Sequence, residues 1–313
     1  MRTREMRALA ILGLAMGISG RVAGAQTVPA IGAKPKGQQG VPSTSNPNAT
    51  PRIIPPAVPF PGGKLEDRYR SAAEVKARFE WEQEHYIQFP RVVRGNPAVK
   101  EIALTFDDGP HPLFTQQILD ILNREKITAT FFVIGANVDA HPDLVQQAAA
   151  QGIEIANHTY HHIRLPTLAS KDIVSELKNG ALAIERAIGY STRIYRPPGG
   201  EYDIDTINAT RELGYTMVLW TDDPGDYADP GTRIIENRVL RDVSSGGILL
   251  LHDGATQTVQ ILPDLIQKLK ARGYRFVTCS AMARERGVIT TGGPQVLPPV
   301  PHRPPMPIIP REP

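Results

Sequence analysis

Thr105-Phe106-Asp107-Asp108-Gly109-Pro110 closes the apolar run Ile102-Ala103-Leu104. Pro removes a ladder donor and Gly permits a sharp turn, so the run ends there as a strand. Two adjacent carboxylates are thereby held at a strand-to-loop mouth, where one can bind a metal while its neighbour handles a proton. Taken alone, the pair also fits turn chemistry with an N-cap for the following helix. The rest of the chain decides between the two.

Working outward, further strand-like runs lie at 129–134, 152–156, 193–195, 215–220, 246–251 and 274–277, besides 101–106 itself. Helical patterns separate them. The clearest starts at Ser170, read as an N-cap, and carries Ile173, Leu177, Ala181, Ile184 and Ile188 before Gly189 stops it. Phe114–Glu125 and Val259–Ala271 are similarly patterned. Alternating strand and helix imply an α/β protein with a parallel sheet, whose sites sit at strand C-terminal ends.

Four more polar clusters occupy such ends. Asn157-His158-Thr159-Tyr160-His161-His162 follows the run 152–156. His158 and His162 stand four apart, so one helical turn or a tight loop brings both rings to one side. Two imidazoles with a carboxylate suit zinc or a similar divalent ion. His161 points elsewhere on this spacing and is left out of the metal set. In Arg196-Pro197-Pro198-Gly199-Gly200 the prolines carry no N–H, so the first backbone donor after Arg196 is that of Gly199. A rigid segment ending in an exposed N–H suits an oxyanion site. Trp220-Thr221-Asp222-Asp223-Pro224-Gly225-Asp226-Tyr227 and Leu250-Leu251-His252-Asp253-Gly254 complete the set.

In this order the five segments resemble the motifs of the polysaccharide deacetylases of carbohydrate esterase family 4, the NodB-homology domain, over roughly Val99 to Ala283. The resemblance implies a distorted (β/α) barrel of about seven parallel strands. It implies Asp107 as catalytic base, with Asp108, His158 and His162 as metal ligands and Arg196 supporting the base. It further implies His252 as the acid, oriented by Asp226 of an Asp-x-x-Asp pattern with Asp223, and the Gly199 N–H as oxyanion donor. The implied cofactor is a divalent metal, zinc first, with cobalt or nickel able to serve. The implied partner is an acetylated glycan such as peptidoglycan, chitin or poly-N-acetylglucosamine. An O-acetyl xylan esterase and a non-catalytic glycan-binding module are the alternatives. The chain departs from the family at Gly199, often Tyr, and at Tyr227, often Trp, which bears on substrate preference more than on chemistry.

The flanks read differently. Residues 1–25 are expected to be a secretory signal: Arg2, Arg4 and Arg7 precede the apolar run Ala8 to Ile18, and Ala23-Gly24-Ala25 offers a cleavage site. That segment holds four Arg and one Glu, which accounts for the whole net charge of +3. Without it the chain is near neutral, so neither nucleic acid nor an anionic membrane is expected as partner. A secreted or periplasmic, cell-envelope location follows. Residues 26–65 read as a Pro/Gly/Ser-rich disordered linker and 66–98 as an N-terminal extension. That extension includes a helix over Asp67–Tyr86 with Val75 and Phe79 on one stripe. Residues 99–285 are the deacetylase-like domain, and 286–313 a Pro-rich disordered tail. Cys279 is the one cysteine, so no internal disulfide is possible, and it is expected to pack as a small buried residue.

Overall fold

Ile102, Leu104 and Phe106 point one way from their strand while Ala103, Thr105 and Asp107 point the other, the two-residue period of β-structure. In the computed structural model, which describes residues 69–287, that alternation separates two cores. Ile102, Leu104 and Phe106 join an outer core under the helices, whereas Ala103 belongs to an inner core enclosed by the sheet. Residues 1–68 and 288–313, which include the expected signal, the linker and nearly all of the Pro-rich tail, lie outside the described residues.

The strands are β1 (Arg91–Val92), β2 (Glu101–Asp107), β3 (Thr130–Val133), β4 (Glu154–Asn157), β5 (Ile194–Tyr195), β6 (Thr216–Val218), β7 (Gly247–His252) and β8 (Arg275–Phe276). All pair in parallel, in the order β1-β6-β5-β4-β3-β2-β7. β8 also pairs with β2, through Glu101 and Ile102, while β7 runs along the opposite edge from Ile102 to Asp107. β8 therefore takes the lower part of the edge whose upper part β3 uses. The sheet curls until the chain beyond β6 meets β7, where Asp222 pairs with Leu249. Seven strands make the main path of this distorted barrel. The short β1 was not expected from its two-residue sequence, Arg91-Val92.

The helices are α1 (Ala72–Glu84), α2 (Thr115–Glu125), α3 (Gly135–Ala140), α4 (Pro142–Ala150), α5 (Ser170–Ile188), α6 (Ile204–Glu212), α7 (Thr232–Asp242), α8 (Thr256–Ala271) and α9 (Cys279–Glu285). Ile118, Leu119 and Leu122 of α2 and Leu262, Leu265 and Ile266 of α8 are fully buried in the outer core. Each such side chain contributes about 1.5–3 kcal/mol on leaving water. One expectation needs correcting: Ala169, not Ser170, is the N-cap of α5, and no side chain caps it. Gly189 does end α5, in the left-handed conformation at φ 79°. Cys279 is fully buried.

The extension helix α1 is better anchored than its thin apolar stripe implied. Ser71 and Glu74 form a reciprocal capping box at its start. Val75 is buried, and Glu82 is buried among partners from three directions. Arg78 donates to it at 2.9 Å and Tyr202 at 3.1 Å, and Arg91 of β1 pairs with it as well.

Candidate active site

The period of two places Asp107 on the inner face of β2 and His252 on the inner face of β7, and the strand register sets them directly opposite one another. Both end their strands. His158 follows β4, Arg196 follows β5 and Asp226 lies in the connection after β6. All five clusters thus meet at the C-terminal rim of the barrel.

Asp107 has no exposed surface. Its Oδ1 accepts from the Arg196 guanidinium at 2.6 Å, and the same nitrogen donates to Thr105 Oγ1 at 2.8 Å. Arg196 is itself wholly buried, 4.1 Å over the Phe132 ring and 5.4 Å from Trp220. Asp107 Oδ2 faces the site without a hydrogen-bond partner, 3.7 Å from His158 Nε2.

Asp108 adopts a left-handed backbone at φ 73°, and its carboxylate approaches the same His158 nitrogen as that of Asp107. Its Oδ1 lies 3.4 Å from His158 Nε2 and 3.1 Å from His162 Nε2. Burial alone would raise the Asp108 carboxyl pKa. The imidazoles of His158 and His162 beside it instead hold it well below the usual range. The two histidines come from a loop, not a helical turn, with left-handed residues at Thr159 and His162. Asn157 shapes that loop, accepting from the Thr159 N–H at 2.9 Å and donating to the Leu177 carbonyl of α5 at 2.8 Å. His161 faces elsewhere, its Nδ1 2.6 Å from Glu176.

His158 Nδ1 donates to the Arg196 carbonyl at 2.8 Å, which leaves Nε2 as the nitrogen with a free lone pair. Asp108 Oδ1, His158 Nε2 and His162 Nε2 are all buried, all without a hydrogen-bond partner, and all within 4.8 Å of one another. Buried polar atoms are rarely left unsatisfied. Three that converge, two imidazoles and a carboxylate, fit a divalent cation of the zinc type.

On the far side, His252 Nδ1 donates to Asp226 Oδ1 at 2.7 Å, and its backbone N–H donates to Asp226 Oδ2 at 2.8 Å. The Thr258 hydroxyl of α8 also donates to Asp226. Burial works to depress the His252 imidazole. The Asp226 carboxylate, with Asp108 and Asp107 behind it, overrides this and raises the pKa to about 9. Asp226 shows the converse: burial works to raise it, yet the charge and hydrogen bonds of His252 hold it low. Asp223 accepts from the Gly225 N–H at 2.9 Å and shapes the turn. Gly199 is buried at φ 62° in a 3-10 turn, and its carbonyl accepts from the Arg70 N–H at 3.0 Å.

Three functional neighbours were missed in the sequence. Thr105 and Thr258 secure Arg196 and Asp226, and a Thr in a strand or first helical turn carries no signal of that. Tyr69 donates its hydroxyl to Asp108 Oδ2 at 2.9 Å, from a stretch without a motif.

The chain is similar to known proteins over this same region. The polysaccharide deacetylase family profile matches residues 94–218. The peptidoglycan-N-acetylglucosamine deacetylase of Bacillus cereus is 41% identical over 190 residues, covering 59% of this chain and 89% of that protein. The chitooligosaccharide deacetylase of Sinorhizobium fredii is 38% identical over 199 residues, 59% of this chain and 91% of that protein. Among solved structures, a pseudoenzyme of carbohydrate esterase family 4 from Bacillus anthracis superposes with a TM-score of 0.60 at 27% identity. That match covers 64% of this chain and 71% of the other. A pseudoenzyme on the same scaffold means that fold alone does not establish turnover. With nearly the full length of two curated relatives covered at this identity, the chain belongs to the polysaccharide deacetylase family.

Proposed function

We propose that this chain hydrolyses N-acetyl groups on a cell-envelope or extracellular glycan, with a divalent metal as cofactor. The observation that carries the reading is the set of buried, unpartnered atoms converging at one rim. These are Asp108 Oδ1, His158 Nε2 and His162 Nε2 for the metal, Asp107 Oδ2 beside them and His252 Nε2 across from them. A glycan-binding module needs neither a base nor an acid, and Asp107 and His252 are candidates for the two roles.

A divalent ion held there supplies Lewis acidity, lowering the pKa of a water and polarising a carbonyl. Asp107, fixed by Arg196, takes the proton from the attacking water through its free Oδ2. His252, kept charged and oriented by Asp226, gives its proton to the departing nitrogen, as expulsion of an amine requires. The Gly199 N–H, first donor after two prolines, is assigned to the oxyanion. Zinc suits this ligand set, and cobalt or nickel are workable substitutes. The candidate substrates are peptidoglycan, chitin and poly-N-acetylglucosamine. Export to the envelope or medium is proposed from residues 1–25. Among the described residues no helix is long and apolar enough to cross a membrane.

The test is acetate release from a panel of acetylated glycans, with and without chelator. Release from N-acetylated polymers that chelation stops and zinc restores is the expected result. Release only from acetylated xylan would move the assignment to an O-esterase. No metal-dependent release from any polymer would leave a binding module.

A further inference from the structure

Just before α1 the chain crosses the rim of the site. The Arg70 N–H donates to the Gly199 carbonyl at 3.0 Å, and the Arg70 carbonyl accepts from Trp220 Nε1 at 3.1 Å. Ser71 then enters the capping box of α1, which Glu82 ties to the barrel. Tyr69, Arg70 and Ser71 of this strap each make at least one hydrogen bond. It lies across Gly199, which has no side chain of its own to form a wall.

The strap delivers Tyr69, only 8% exposed, into the centre. Its ring stands edge-on to His252 at 4.4 Å and 4.9 Å from the Tyr227 ring. Its hydroxyl donates to Asp108 Oδ2 at 2.9 Å. The oxygen so engaged is not the one facing the two imidazoles; that is Oδ1. A carboxylate that binds a metal through one oxygen is held in place by a hydrogen bond to the other, and such partners fix both orientation and affinity.

We propose that Tyr69, from outside the family-matched residues, is a positioning residue of this active site: its hydroxyl orients Asp108 for the metal and its ring walls the pocket beside His252. The inference rests on the metal-dependent reading above. Its test therefore begins with metal binding in the absence of substrate.

Cobalt(II) is titrated into the metal-free full-length protein against a competing chelator, for wild type, Tyr69→Phe and Tyr69→Ala. Tyr69→Phe keeps the ring and removes one hydrogen bond. It is expected to weaken cobalt binding about tenfold and change the visible cobalt spectrum, with the melting temperature of the metal-free protein unaltered. In the acetate assay kcat falls in Tyr69→Phe with KM little changed, whereas Tyr69→Ala also raises KM. Wild-type cobalt affinity and spectrum in Tyr69→Phe would overturn the proposal. So would faster acetate release from Tyr69→Ala, which would make the strap a plug. If no variant, wild type included, releases acetate, the deacetylase reading falls while the cobalt titration still decides Tyr69.

Discussion

On the proposed mechanism, His252 and Asp226 set the pH behaviour of this site. The imidazole is raised to about 9, so its acid form persists through neutrality and is lost as pH climbs past that value. The alkaline limb of the pH–rate profile should therefore fall near 9. Asp226→Asn removes the closest negative charge, and opposite charges at such distances shift a pKa by about 1–3 units. In that variant the alkaline limb should move to lower pH by about one unit or more, read from kcat/KM against pH. Asp107→Asn should abolish measurable acetate release while sparing metal binding. It should also leave the wholly buried Arg196 without its counter-charge, a loss of about 3–5 kcal/mol in denaturant unfolding. Retained turnover would remove Asp107 from the base role. The residues behind these predictions were readable as linear motifs because each ends a strand or lies in the connection that follows one. Tyr69 and Thr258 were not, since nothing local marks a hydroxyl whose partner lies far along the chain.

At the scale of elements, α5 shows how a helix can serve the site from behind. Gly180 interrupts an otherwise good helix, at a cost of about 1 kcal/mol relative to Ala. A Cβ there would collide with Asn157 Oδ1 and stand 3.0 Å from the Thr159 carbonyl oxygen. The helix thus comes close enough for the Leu177 carbonyl to take the Asn157 amide hydrogen. Gly180→Ala should cost about 1–3 kcal/mol by overpacking and weaken metal binding by shifting the loop that carries His158 and His162. Calorimetric unfolding and a metal titration check the two parts. The sequence located β2 to β8 because each lies in a run carrying its own apolar residues, short as β5 and β8 are. It missed β1, a two-residue edge strand whose pairing with β6 is purely tertiary. It also underrated α1, whose hold on the barrel comes from the buried Glu82, a residue that sequence patterns assign to solvent. Glu82→Ala strands the buried Arg91 without its counter-charge, so a loss of about 3–5 kcal/mol is expected in urea unfolding.

For the molecule as a whole, a metal held at Asp108, His158 and His162, as proposed, would couple cofactor to stability. An ion bound only by the folded chain stabilises it by mass action, about 2.7 kcal/mol at a hundredfold excess over Kd. Chelation should therefore lower the melting temperature as well as stop turnover, and Asp108→Asn should make the melting temperature insensitive to added metal. The barrel was legible from alternating strand and helix, and its partial closure was not, since β8 shares an edge of β2 with β3 through long-range pairing. The order of the rim along the chain has a consequence for biogenesis. Asp108, His158 and His162 all precede β7, and a polypeptide leaves the ribosome amino end first. β7 nevertheless pairs with β2 from Ile102 to Asp107, so the three candidate ligands are synthesised before the strand that fixes the rim carrying one of them, and a cradle held in this geometry would await the arrival of β7.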